Sequence, residues 1–185
     1  MSNIAFLDRD PALIARYHVD RLLAREVLDV ARVLQAAHIM CDGEPSARAR
    51  TGNAISVSRP YMQTVSARWA RDTSQNYLWT SRLFAALVHE YELRNGQPHR
   101  FDYMARVFEN RPMLIKMGEM TEFPQAGIPE RFHREDVIFS HRLCYFWMPA
   151  GMANWSPPAK TPEWWKDMQR AHEHNRRDLS GVARS

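Results

Sequence analysis

Leu23, Val27, Val30, Ala31 and Leu34 recur at the three- and four-residue spacing of one helix face, and this stripe constrains the fold more than any other feature of the chain. It sits in a helical pattern that starts at Asp10-Pro11, bends near His18 and runs to about Met40. Aspartate as a cap followed by proline is a strong start signal, because the first helical position needs no N–H partner. A second stripe, Leu78, Trp79, Leu83, Leu87 and Tyr91, begins after the cap residues Thr73 and Ser74 and stops at Asn95-Gly96. Glycine there suits the left-handed turn that ends many helices. Shorter helices are predicted over Gln63–Arg71, Phe101–Glu109 and Arg134–Met148, and Thr161-Pro162-Glu163 opens a last one.

These elements predict a mainly α fold, a compact helical array forming a single domain over residues 1–185, with at most one short strand or hairpin near Asn3–Leu7. Residues 42–60 are rich in Gly, Pro, Ser and Arg and read as a mobile basic loop carrying Arg48, Arg50 and Arg59. Met117 to Arg131 reads as irregular, and residues 178–185 as a frayed tail. A chain of 185 residues, 45% hydrophobic, is long enough to bury its own core. No run of about 20 apolar residues is present, so no membrane partner is expected. The start at Met1 lacks a basic region before an apolar run, so a signal peptide is not expected. Cys41 and Cys144 form no C-x-x-C pair and read as buried thiols in a reducing compartment.

The net charge is +4 and the isoelectric point about 9.3, which suits an anionic partner. Among 25 basic residues only Lys116, Lys160 and Lys166 are lysines, leaving 22 arginines. A GC-rich genome accounts for much of that bias, while arginine's planar fork also suits phosphate and carboxylate, so placement has to decide.

Four clusters carry candidate chemistry. Arg21, Arg25 and Asp29 lie four apart on one predicted helix face, with His18 and Arg32 a turn away at each end and Asp20 beside them. Two guanidinium groups with a carboxylate and an imidazole suit a phosphate clamp with a general acid or base, although the spacing alone favours a solvated face of internal ion pairs. In the second cluster Arg71 and Asn76 flank a predicted helix start, where free N–H groups favour anions, and Trp69, Tyr77 and Trp79 offer a stacking face or simply core. His99 and Arg100 follow the end of the helix that carries Arg94, where cations are favoured by the dipole alone. Thr121 to Ala126, with Gln125, forms a polar loop suited either to closing over a site or to plain connection. Phosphate-loop, dinucleotide and nucleophile-elbow signatures are absent, and His89-Glu90 lacks the second histidine of a zinc helix. His172 and His174 are two apart and diverge on a helix, and His18-x-Asp20 alone is a weak pair. No metal site or cofactor is therefore assigned, and a divalent ion is left open.

The combined pattern resembles a family of small tailed-bacteriophage proteins. The resemblance rests on Tyr17-His18-x-Asp20-Arg21-x3-Arg25-x3-Asp29, His38, Trp69-x-Arg71-Asp72, Asn76-Tyr77-x-Trp79 and Glu90-Tyr91-x2-Arg94. It continues through Gly96-x2-His99-Arg100, Thr121-x-Phe123-Pro124-Gln125-Ala126 and Pro162-Glu163-x-Trp165, nearly the whole chain. The family is associated with thymine hypermodification, its members being glutamyl or putrescinyl thymine pyrophosphorylases, or amino acid:DNA transferases. The usual pattern has lysines at Arg21 and Arg25 and glutamate at Asp29, and the arginines forbid a Schiff base at those two positions. Phe146-Trp147-Met148 runs into Pro149 with no lysine close behind, so a basic role there is in doubt.

What the resemblance implies is a transferase that replaces pyrophosphate on 5-pyrophosphoryloxymethyluracil in double-stranded DNA with a small amine or amino acid, in the cytoplasm of the infected bacterium. On that reading Arg21, Arg25, Arg71 and Asn76 hold phosphate, and His18, Asp20 or Asp29 takes the amine's proton. Trp69 and Tyr77 wall the pocket for an extruded base, and Arg94, His99, Arg100 and Gln125 contact the substrates. The rival classes are a glycosylase-like or nuclease enzyme on modified DNA and a non-enzymatic phage DNA-binding protein.

Overall fold

The computed structural model describes residues 4–52, 55–149 and 151–182, with side chains to residue 174. Within it the chain forms nine α-helices and no strand: α1 (Pro11–Tyr17), α2 (Asp20–Asp42), α3 (Glu44–Thr51), α4 (Arg59–Met62), α5 (Val65–Asp72), α6 (Ser74–Asn95), α7 (Met104–Phe108), α8 (Val137–Phe146) and α9 (Glu163–Val182). No described helix is long and apolar enough to cross a membrane.

The two long stripes meet. α2 packs along α6, α5 covers both, and α1 lies on α6. Val27, Val30, Ala31 and Leu34 of α2 and Leu83 and Leu87 of α6 are fully buried in the resulting core. Several helix starts are capped by side chains: Asp10 accepts from the Ala12 N–H, Thr64 from Ala67, Thr73 from Asn76 and Asp136 from Ile138 and Phe139. Gly96, at φ 67°, ends α6 in the left-handed turn. The bend at His18 separates α1 from α2, with His18 and Val19 in extended backbone.

The fold is all-helical among the described residues, and the N-terminal strand that the sequence allows does not form. Residue 3 lies outside the described residues, and Ile4 to Leu7 pair with no strand. Instead this extended segment threads into the core, where Ile4, Phe6 and Leu7 are buried. Side chains meet its donors: Ser66 Oγ accepts from the Ile4 N–H at 3.1 Å and Glu26 from the Ala5 N–H at 3.2 Å. Phe6 stacks on Phe123 and Trp79 and meets Trp69 edge-on.

The expected loop over residues 42–60 is also corrected. Gly43, at φ 81°, turns the chain from α2 into α3, and Pro45 sits in the first turn of α3, where proline is favoured. α3 holds Arg48 against Glu44 one turn earlier. α4 follows, capped by Ser58 and opened by Arg59-Pro60. α9 extends past Arg177 to Val182, into the expected tail, and residues 183–185 lie outside the described residues. Cys41 and Cys144 are free and only half-buried.

Candidate functional site

The bend between α1 and α2 gathers the first cluster, but not as one open pocket. Asp20 begins α2 and is the hub of a bonded frame. Its carboxylate accepts from the Ser156 N–H at 3.0 Å, the Ser156 hydroxyl at 2.8 Å, Asn154 Nδ2 at 2.7 Å and Arg94 at 3.0 Å. Burial alone lifts the Asp20 pKa, yet the bonds from Ser156 and Arg94 outweigh it and hold the group below its ordinary value. The Arg94 side chain is only 2% exposed and pairs with Glu90 as well as Asp20. It also donates to the carbonyls of His18, Arg16 and Ala15, closing the C-terminal end of α1. Arg94 is therefore a structural clasp and is spent before any substrate carboxylate arrives.

His18 points inward. Its Nδ1 lies 3.2 Å from the Tyr145 hydroxyl, which itself accepts from the Val19 N–H, and its Nε2 lies 3.8 Å from Glu26. Sequence reasoning passed over Glu26, although its place between Leu23 and Val30 on the apolar stripe marks it as a carboxylate turned inward. Asp29 is buried, and Arg25 and Arg32 each approach it at 3.5 Å. Arg25 is thus drawn to its own helix, as the bland reading of that face expected. Arg21 is exposed and forms no ion pair among the described residues.

The second cluster does not join the first. Arg71 donates to the Met62 carbonyl and to Gln63, and its charge is felt by the Cys41 thiol near the end of α2. Cys41 and Arg25 are about 24 Å apart along α2 at the ordinary helical rise. A clamp built from Arg25 and Arg71 is therefore not assembled. Asn76 is fully buried and committed: it donates to the Trp69 carbonyl and to Thr121 Oγ1, both at 2.8 Å, and accepts from the Thr121 N–H at 2.9 Å. Trp69 and Tyr77 are core residues, Trp69 donating to the Glu122 carbonyl and Tyr77 meeting His38 at 2.8 Å. Neither presents a face to an extruded base.

The remaining candidates are scattered. His99 is buried against Tyr91 and Phe101 and accepts from the Phe101 N–H, while Arg100 lies over the Phe101 ring. Gln125 ties the Thr121–Ala126 loop to the start of the α8 region through the Arg134 carbonyl at 2.7 Å. That loop is fastened from both ends and forms a wall.

A groove of about 770 Å³ opens beside the Asp20–Arg94 frame, between α1, α6 and the chain entering α9. Tyr17 and Trp164 line it with their rings 6.1 Å apart and nearly perpendicular. The Arg142 guanidinium lies over both rings, 5.9 Å from Tyr17 and 5.4 Å from Trp164. Its Nε donates to the Leu7 carbonyl and its other end pairs with Asp8 at 2.9 Å, so the charge is anchored. Arg16 and Lys160 stand at the rim with no ion pair among the described residues. The indole N–H of Trp164 is buried and has no partner, and such a donor is costly unless a ligand or water meets it. Glu90 lines the same groove, with Oε1 bonded to Arg94 at 2.8 Å. The groove pairs aromatic faces with cations, the combination that takes a planar anionic ligand. Two quoted motifs flank it: Tyr17 opens the first, and Pro162-Glu163-x-Trp165 encloses Trp164 in its unspecified position.

Among the described residues no three His, Cys, Asp or Glu side chains are grouped to hold a metal ion. No protein-family model, curated protein or solved structure matches the chain.

Proposed function

We propose that this chain is a phage DNA-modification enzyme, acting in the infected host's cytoplasm, that replaces pyrophosphate on 5-pyrophosphoryloxymethyluracil in DNA with an amine such as an amino acid. The observation that carries the reading is the groove in which Tyr17 and Trp164 face Arg16, Arg142 and Lys160. The family resemblance supplies the reaction, and the groove supplies what it needs. An extruded uracil stacks against the half-buried Tyr17 ring at the groove's wall. The basic side chains neutralise the pyrophosphate as the carbon–oxygen bond breaks and its electron pair leaves with the phosphate oxygen. The amine nitrogen bonds to the same methylene carbon, and its surplus proton passes to Glu90, which lines the groove. Asp20 and Arg94 hold the groove's walls in place in this scheme and take no proton.

The decisive experiment is nucleoside mass spectrometry of pyrophosphorylated hydroxymethyluracil DNA incubated with the protein and an amino-acid mixture. A new aminomethyl adduct with release of pyrophosphate is the expected product. Free base or strand breaks would assign the groove to glycosylase-like or nuclease chemistry, and unaltered DNA would remove the enzymatic reading.

A further inference from the structure

The far end of α2 holds a second set of uncommitted donors. His38 is only 1% exposed, and its Nε2 lies 2.8 Å from the Tyr77 hydroxyl. That hydroxyl also faces the Asn110 carbonyl, at 3.4 Å. A phenol has one hydrogen, but its oxygen also accepts, so either ring tautomer can make the 2.8 Å contact. In the tautomer that accepts the Tyr77 hydrogen at Nε2, the ring carries its own hydrogen on Nδ1, a buried atom with no partner. Buried N–H groups are almost always satisfied, so an orphan on this scale points to something that binds there.

His38 forms the floor of a groove of about 470 Å³, with Arg50 of α3 and Arg106 of α7 on its rim. Among the described residues neither arginine side chain forms a hydrogen bond or an ion pair. Asp42 also faces His38, but its two oxygens accept the N–H groups of Met113 and Leu114 at 3.0 and 2.9 Å. Two free guanidinium groups against one committed carboxylate leave the groove positive.

We propose that this groove is a phosphate-binding site in which Arg50 and Arg106 grip the oxygens and His38 Nδ1–H donates from the floor. The planar forks match phosphate geometry, and the imidazole adds a fixed direction. A DNA backbone diester and a free phosphate ion present the same oxygens, so both fit. Asp20 and His38 lie about 27 Å apart along α2, which makes this a site separate from the Tyr17–Trp164 groove. It stands whether or not the transferase reading does.

The test follows the His38 ring nitrogens, assigned by triple resonance, in long-range proton–nitrogen spectra. The intact protein is titrated with inorganic phosphate and, separately, with a short unmodified DNA duplex. The Arg50→Ala/Arg106→Ala double variant serves as control, because both residues are exposed and circular dichroism can confirm its fold. A saturable His38 shift that weakens about tenfold or more in the double variant is expected. A shift produced by DNA and reversed by phosphate would identify the backbone as the ligand. A shift produced by phosphate alone would identify the free ion. No shift from either, or a shift that the double variant keeps undiminished, overturns the proposal.

Discussion

His18 Nε2 and Glu26 Oε1 lie 3.8 Å apart in the core, yet at neutral pH the two do not form an ion pair. Burial, with help from the Arg94 charge, pushes the imidazole down to about 3. Burial pushes the Glu26 carboxyl up to about 8, against the bond from the Ala5 N–H, and the Asp29 charge adds to the rise. Each group is neutral where the other would need it charged. The low-dielectric setting, and not the pairing, sets both states.

Stability should therefore depend on pH from two opposing directions. Between the ordinary glutamate value of 4.5 and about 8, folded Glu26 keeps a proton that the unfolded chain releases, so stability falls as pH rises through that window. Below 6.5 the unfolded imidazole of His18 gains a proton that the folded one refuses until about 3, so stability falls as pH drops. His38 and His141, each pushed to about 4 chiefly by burial, add to the acid limb. Glu26→Gln should flatten the limb between about pH 6.5 and 8, a change on the order of a few kcal/mol across the Glu26 shift. Urea midpoints across that range check it, and a variant that declines as steeply as the parent would refute the assignment.

Arg94→Ala should cost about 3–5 kcal/mol, because it leaves the carboxylates of Glu90 and Asp20 without their shared cation. Asp20→Asn keeps the shape and should cost less, about 1–3 kcal/mol. Chemical denaturation measures both, and an Arg94→Ala loss under about 0.5 kcal/mol would mean that the clasp is ornamental.

Asn76→Ala should release the Thr121–Ala126 loop without unfolding the core, since its amide holds Thr121 through two hydrogen bonds. Faster amide exchange at Thr121 and its neighbours, with α2 and α6 still protected, is the expected pattern. Equal protection in variant and parent would show that Gln125 and Trp69 hold the loop alone.

Turnover of pyrophosphorylated DNA should fall about tenfold to hundredfold in Arg16→Ala and Lys160→Ala, which remove groove-rim cations. Both side chains are exposed, so the unfolding free energy should stay within about 0.5 kcal/mol. Arg21→Ala and Arg25→Ala should leave turnover unaltered. The reverse outcome in steady-state assays would move the reaction to the outer face of α2.

Much of the scaffold is legible in the chain because its signals are local. A stripe such as Val27-Val30-Ala31-Leu34 and a cap such as Asp10 act within a turn or two, and both behave as read. α3 is hidden in the sequence because Gly43 and Pro45 look like loop residues when they are a hinge and a first-turn proline. The site was harder for one physical reason: a charged residue does not announce its partner. Asp20 finds Ser156 across 136 positions, and Arg94 finds Asp20 across 74. The same residue types at the same spacing serve a phosphate clamp or a buried clasp, and only the distant partners distinguish them. Groove residues such as Arg142 and Trp164 carry no local pattern at all.

The buried N-terminal segment places a demand on the order in which this protein is made. Phe6 and Leu7 are synthesised well before the residues that seat them, for Phe123 stacks on one and Arg142 bonds the carbonyl of the other. This segment must wait for more than a hundred further residues before its seat exists. Nascent chains halted before α8 should thus leave the Ile4–Leu7 segment exposed and protease-sensitive, and the arrival of α8, more than that of any earlier helix, is what locks it into place.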